Sequence, residues 1–201
     1  MHPVDPGDDG VPRIHPEDAG EWRAWLAEHH ASAGGVWAVR WRAGHGDVPL
    51  DYEGLVREAL CFGWIDSRPR RLDAERTMLY FAPRRPGSGW ARPNKQRIAE
   101  LEAAGLMEPA GRAAVERARA DGTWSMLDGV EDAVVPPDLS AALDARPGAR
   151  ERWDAFPPSA RKGILQWIVQ AKRPETRARR VEEAADKASR GERANQWRPK
   201  P

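Results

Sequence analysis

The alternation of apolar and polar positions divides the chain into a sheet-forming half and a helical half. Residues 1–15 are rich in Pro, Gly and Asp with little that is apolar, which predicts an arm without fixed structure. At Pro16-Glu17-Asp18 the pattern changes: a proline and two acids suit the positive end of a helix, and Trp22, Trp25, Leu26 and His29 follow at helical spacing. Ala33-Gly34-Gly35 ends that helix. Val36 to Arg42 predicts a strand covered on both faces, because its apolar residues do not separate cleanly onto one side. After a turn over Gly44 to Pro49, Asp51 is placed to N-cap a helix through Leu60, with Leu55, Val56, Ala59 and Leu60 along one side. Trp64 to Leu72 and Thr77 to Ala82 read as an antiparallel hairpin about the polar turn Asp73-Ala74-Glu75-Arg76. Pro83 to Gly89, PRRPGSG, holds two prolines and two glycines and predicts a loop.

Beyond that loop the period is helical: Pro93 to Ala104, Pro109 to Ala120, Asp138 to Ala145, Ala149 to Phe156, Ser159 to Lys172 and Glu175 to Ser189. Ser159 is the expected N-cap of the stripe Ile164, Leu165, Trp167, Ile168 and Ala171, which must dock on something. The last helix offers little to dock and reads as a solvated face, followed by a mobile tail over 191–201. The expected fold is α+β: a small antiparallel sheet of three or more strands, N-terminal helices and a helical C-terminal half. Its domain is expected over 16–190, with the sheet-containing part over about 16–105 and a helical subdomain over about 106–190.

Composition narrows the function classes. A chain of 201 residues can bury a core without disulfide or metal. No apolar run approaches the roughly 20 residues that span a bilayer, so membrane insertion is not expected. The N-terminus has neither basic nor apolar signal regions, and Cys61 has no partner cysteine, which together point to the cytoplasm. With 32 Lys and Arg against 31 Asp and Glu, the molecule lacks the broad basic surface that nonspecific nucleic-acid binding requires. The charge is unevenly placed, however. Ile65 to Glu100 carries nine basic residues and four acids, and it also holds Gly87, Gly89 and Trp90, with Trp64 immediately before it. Most of the ten tryptophans are expected in the core.

Five segments, GVWAVRW, EALCFGWIDS, YFAPRRPGSGWARPN, LEAAGLMEPAG and ILQWIVQAKRPETRARRVEE, in this order and spacing, resemble the bacterial YdeI/OmpD-associated family, also called the bacteriocin-protection family. The likeness runs from about Trp22 to Arg190. It implies a cytoplasmic bacterial protein tied by name to tolerance of antimicrobial peptides or envelope stress, and it implies no settled reaction.

Candidate chemistry therefore rests on the residues. Arg84, Arg85, Ser88, Trp90, Asn94 and Lys95 place guanidinium groups and a glycine-containing loop before a helix start, an anion cradle in outline. The same loop reads equally as a surface connection whose arginines pair with Asp66 and Glu100. Trp64 and Trp90 flank the group and can stack a planar ligand or lie in the core. Asp66, beside Arg68, Arg70 and Arg71, is either an acid or base or a salt-bridge partner. Cys61 is either a nucleophile or a buried helix-end residue. A helix C-terminus disfavours its thiolate and no histidine lies near it in sequence, although the fold can bring His29 or His45 close. The histidines and the single cysteine have no zinc spacing, so neither metal nor cofactor is expected. The first expectation is a binding module for a small anionic or aromatic ligand, held by Trp64, Asp66, Arg68, Arg84, Arg85, Ser88, Trp90 and Asn94. An enzyme using Cys61 or Asp66 in the same pocket is the second, and a nucleic-acid or protein-partner binder using the basic patch and the Arg177 to Arg180 helix is the third.

Overall fold

The structure, a computed structural model, describes residues 1–2, 4–5, 7, 10–42 and 50–195. The turn read at Gly44 to Pro49 lies outside the described residues, as does the tail from 196. The fold is α+β. Residues Met1–Gly87 and Pro93–Asp121 form one compact unit; Ser88–Arg92 and the chain from Gly122 onward form another.

The first unit is built on a four-stranded sheet of order β1-β2-β4-β3, from β1 (Arg13–Ile14), β2 (Val36–Trp41), β3 (Trp64–Arg71) and β4 (Arg76–Pro83). β4 pairs antiparallel with both β2 and β3, whereas β1 runs parallel to β2, so the sheet is mixed. β3 is an edge strand, which is why it tolerates Pro69, a residue with no N–H to give to a ladder. Helices α1 (Ala19–His29) and α2 (Tyr52–Cys61) start at Asp18 and Asp51, whose carboxylates accept from Glu21 N–H at 2.9 Å and Gly54 N–H at 2.8 Å. α1 docks through Trp22: its ring lies 5.3 Å from that of Phe81 on β4, and its Nε1–H donates to the Leu55 carbonyl of α2 at 2.9 Å. That bond spares a buried indole an unmet donor. Two more helices complete this unit: α3 (Arg92–Ala103), from Pro93 onward, and α4 (Pro109–Ala120).

The segment read as an unstructured arm contributes β1, and Ile14 and His15 are buried. Its composition is poor in apolar residues, but Val4 and Val11 suffice to pack against Trp37, Val39 and Met78 on the outer sheet face.

The second unit is helical. It contains α5 (Asp128–Glu131), α6 (Pro137–Asp144), α7 (Ala149–Asp154), α8 (Pro158–Val169) and α9 (Pro174–Ser189) around Leu139, Leu143, Trp153, Ile164, Leu165 and Ile168. Two local expectations give way here. α8 begins at Pro158 with no side-chain cap, so Ser159 is not its N-cap. α9 is docked, because Val181 and the small residues Ala184, Ala185 and Ala188 form a narrow buried stripe that a search for large apolar residues passes over. Packing continues to Ala194, which is also buried. Among the described residues no helix is long and apolar enough to cross a membrane.

Candidate functional site

Two glycines shape the first cavity. Gly63 turns the chain from α2 into β3 at φ +74°, a conformation that an L side chain rarely adopts. Gly111 on α4 lies so close to the end of α2 that an added Cβ would stand 2.1 Å from the Cys61 carbonyl oxygen. The Glu108 N–H donates to that same carbonyl at 3.0 Å, so the start of α4 caps the C-terminus of α2.

Beside this junction lies a cavity of about 280 Å³ lined by His30, Phe62, Trp64, Arg84, Ala114 and Arg117 among others. Arg84 is half-buried, and its backbone N–H donates to the Gly63 carbonyl at 2.9 Å, which holds the residue against the turn. Burial pushes its guanidinium down to about 10, partly opposed by the charge of Asp66. His30 caps α1, with Nδ1 2.9 Å from the Leu26 carbonyl oxygen. A carbonyl only accepts, so Nδ1 carries the proton and Nε2 is the nitrogen left for other partners. Arg117, exposed in the last turn of α4, makes no ion pair among the described residues. No Asp or Glu lines this cavity among the described residues. A poorly solvated guanidinium, a second cation and an imidazole around one acid-free space favour a ligand with negative charge.

A second cavity, of about 230 Å³, lies at the other end of α2 and is lined by Arg40, Tyr52, Asp66, Thr77, Met78 and Leu79 among others. There Tyr52 O–H donates to Asp66 Oδ2 at 3.2 Å.

Residues 14–114, half of the chain, match the model of a domain of unknown function, DUF8412. The chain belongs to that family. Residues 132–191 match a second model, described as bacteriocin-protection, YdeI or OmpD-associated. The resemblance to that family is thus upheld by its fifth segment, Ile164 to Glu183, whereas the first four fall within the DUF8412 match. No curated protein and no solved structure matches the chain.

The cavity residues His30, Trp64, Asp66 and Arg84 lie within the DUF8412 match, and Arg117 lies just beyond it. Of the eight ligand residues expected from sequence, Trp64 and Arg84 line the first cavity and Asp66 the second. Trp64 is 1% exposed, with its Nε1–H donating to the His30 carbonyl at 3.2 Å, so it acts as a wall rather than a free stacking platform. Arg68 lies over the rings of Trp37 and Tyr80, at 5.3 and 4.7 Å. Asn94 Oδ1 accepts from Arg97 Nη1 at 2.9 Å, and Arg97 also grips Glu53 in a fork. Arg85 is exposed in its loop. Ser88 and Trp90 belong to the second unit, where Trp90 is 1% exposed with its ring 5.1 Å from that of Trp124.

Cys61 is fully buried. Burial pushes its thiol up, a hydrogen bond with Arg23 pulls the other way, and the charges of Glu58 and Glu108 add to the rise. His29 lies against Trp25, 4.8 Å between rings, and His45 is outside the described residues. His30, Arg117, Arg40 and Tyr52 were missed from sequence. Each reads there as an ordinary helix or strand residue, and only folding across β4 and α4 gives them shared neighbours.

Proposed function

We propose that this DUF8412 protein is a binding module for a small anionic ligand, held in the first cavity by Arg84, Arg117 and His30. One observation carries the reading: a half-buried arginine, its guanidinium pushed down to about 10 by burial, faces a cavity without an acidic wall residue among those described. An anion there gives a guanidinium partly desolvated by burial a charge-assisted contact on its cavity side. Phe62 and Trp64 give the same cavity apolar walls, which suits a ligand that is flat or partly aromatic as well as charged. Cys61 and Asp66 do not line this cavity, so the module reading is preferred over an enzyme that uses either one here. The proposed setting is bacteriocin protection, and it rests on the description of the family matched by residues 132–191.

The test is titration of the intact protein with phosphate, pyrophosphate and benzoate, followed by calorimetry. Arg84→Gln is expected to weaken the tightest of these by roughly tenfold to a hundredfold, the worth of one charge-assisted hydrogen bond. Arg117→Gln, an exposed change that leaves the core alone, is expected to weaken it less. Equal binding by wild type and both variants would overturn the reading.

A further inference from the structure

We propose that the second cavity is a separate site for a bipolar ligand of ω-amino-acid form, its ammonium at Asp66 and its carboxylate at Arg40. Arg40 and Asp66 are both half-buried and neither makes an ion pair among the described residues. That is unusual in this molecule, where part-buried Arg23, Arg76 and Arg97 are paired with Glu58, Asp73 and Glu53. Asp66 accepts from Tyr52 and its charge reaches Arg84 and Arg97, but no cation pairs with it directly among the described residues, and here two opposite charges line one space without meeting.

The sheet explains why they do not meet. Arg40 lies on β2 level with Thr77, Asp66 lies on β3 level with Phe81, and β4 runs between them. Their backbones are two strand spacings apart, roughly 10 Å, and are also offset by four residues, roughly 13 Å along the strand. No direct bridge is possible at that separation, yet both side chains reach the same cavity. A ligand with one charge at each end of a short chain closes the gap.

The rest of the lining fits. Met78, Leu79 and Pro69 offer apolar surface to a methylene chain between the charged ends. Tyr52 is 41% exposed, so its ring can face an ammonium while its hydroxyl fixes the Asp66 carboxylate. Burial, then the charge of Asp66, pushes the Tyr52 hydroxyl up from its ordinary value, so it remains a donor at neutral pH. That bond uses Oδ2 and leaves Oδ1 for the ligand. The two cavities share no lining residue among those described, although the charge of Asp66 in this one acts on Arg84 in the other.

The experiment is calorimetric titration of the whole protein with 5-aminopentanoate, 6-aminohexanoate and lysine, against pentanoate, pentylamine and 1,5-pentanediol. At least one bipolar probe is expected to bind roughly tenfold or more tighter than either singly charged chain. Asp66→Asn should reduce that probe to the affinity of pentanoate, and Arg40→Gln should reduce it to that of pentylamine. Arg117→Gln, at a residue that lines only the anion cavity, should change nothing, which separates this site from that cavity. If a variant unfolds, the wild-type series still decides. The proposal is overturned if pentanoate or pentylamine binds as well as the bipolar probes, if the diol binds best, or if nothing binds at millimolar concentration.

Discussion

Cys61 and His15 are two buried groups in the first unit, and each makes a prediction through its protonation. The Cys61 thiol is buried and raised by that burial, so little thiolate forms at neutral pH. Native protein should therefore react with iodoacetamide far more slowly than protein in denaturant, and Cys61→Ala should leave ligand binding unchanged. Alkylation at equal rates in both states would return Cys61 to the list of reactive groups. His15 is lowered to about 4, first by burial and then by the charges of His2 and Arg76, with Glu17 and Asp73 opposing. A histidine held neutral in the fold stabilises it above its unfolded value of about 6.5. As pH falls from there toward 4, the unfolded chain takes up a proton that the folded chain refuses, and stability drops by at most roughly 1.4 kcal/mol per pH unit. His15→Gln should flatten that part of the profile of melting temperature against pH.

Packing between elements yields two further expectations. Gly111→Ala places a methyl against the Cys61 carbonyl, a backbone atom that cannot swing away, so α4 must shift. A cost of roughly 1–3 kcal/mol is expected, seen as a fall of several degrees in thermal unfolding. Removing residues 1–15 takes away β1 and the apolar cover of Trp37 and Val39, so it should also lower the melting temperature and raise dye binding to exposed apolar surface. The elements that were legible in the sequence are those whose signal is local. The hairpin of β3 and β4 has its turn residues in place, and α2 has its capping aspartate. β1 was not legible, because it pairs with Trp37 and Ala38 more than twenty residues away and has little pattern of its own. α9 hid its core face in alanines. For the site, sequence placed Trp64, Asp66 and Arg84 among the candidates. It did not separate them into two cavities, because that division follows from α2 lying between the cavities. Nor did it show that Trp90 belongs to the other compact unit.

Across the whole chain, the two family matches and the two compact units describe nearly the same division. DUF8412 covers 14–114, inside the first unit except for residues 88–92, and the second match, 132–191, falls wholly in the second unit. The exception matters: the chain leaves the first unit after Gly87, contributes Trp90 to the second, returns at Pro93 and leaves again after Asp121. A fragment beginning at Gly122 should therefore expose Trp124, which full-length protein covers with Trp90, and its fluorescence should be red-shifted and more accessible to quenchers. A fragment with native-like emission would show that Trp90 is not needed there. The same path has a consequence during synthesis. Trp90 leaves the ribosome 34 residues ahead of Trp124, an interval of roughly 2 to 7 s at ordinary translation rates. For that interval the nascent chain displays a large indole with no completed core to receive it, and a chaperone that surveys emerging chains would meet Trp90 before any other part of the second unit except its immediate neighbours.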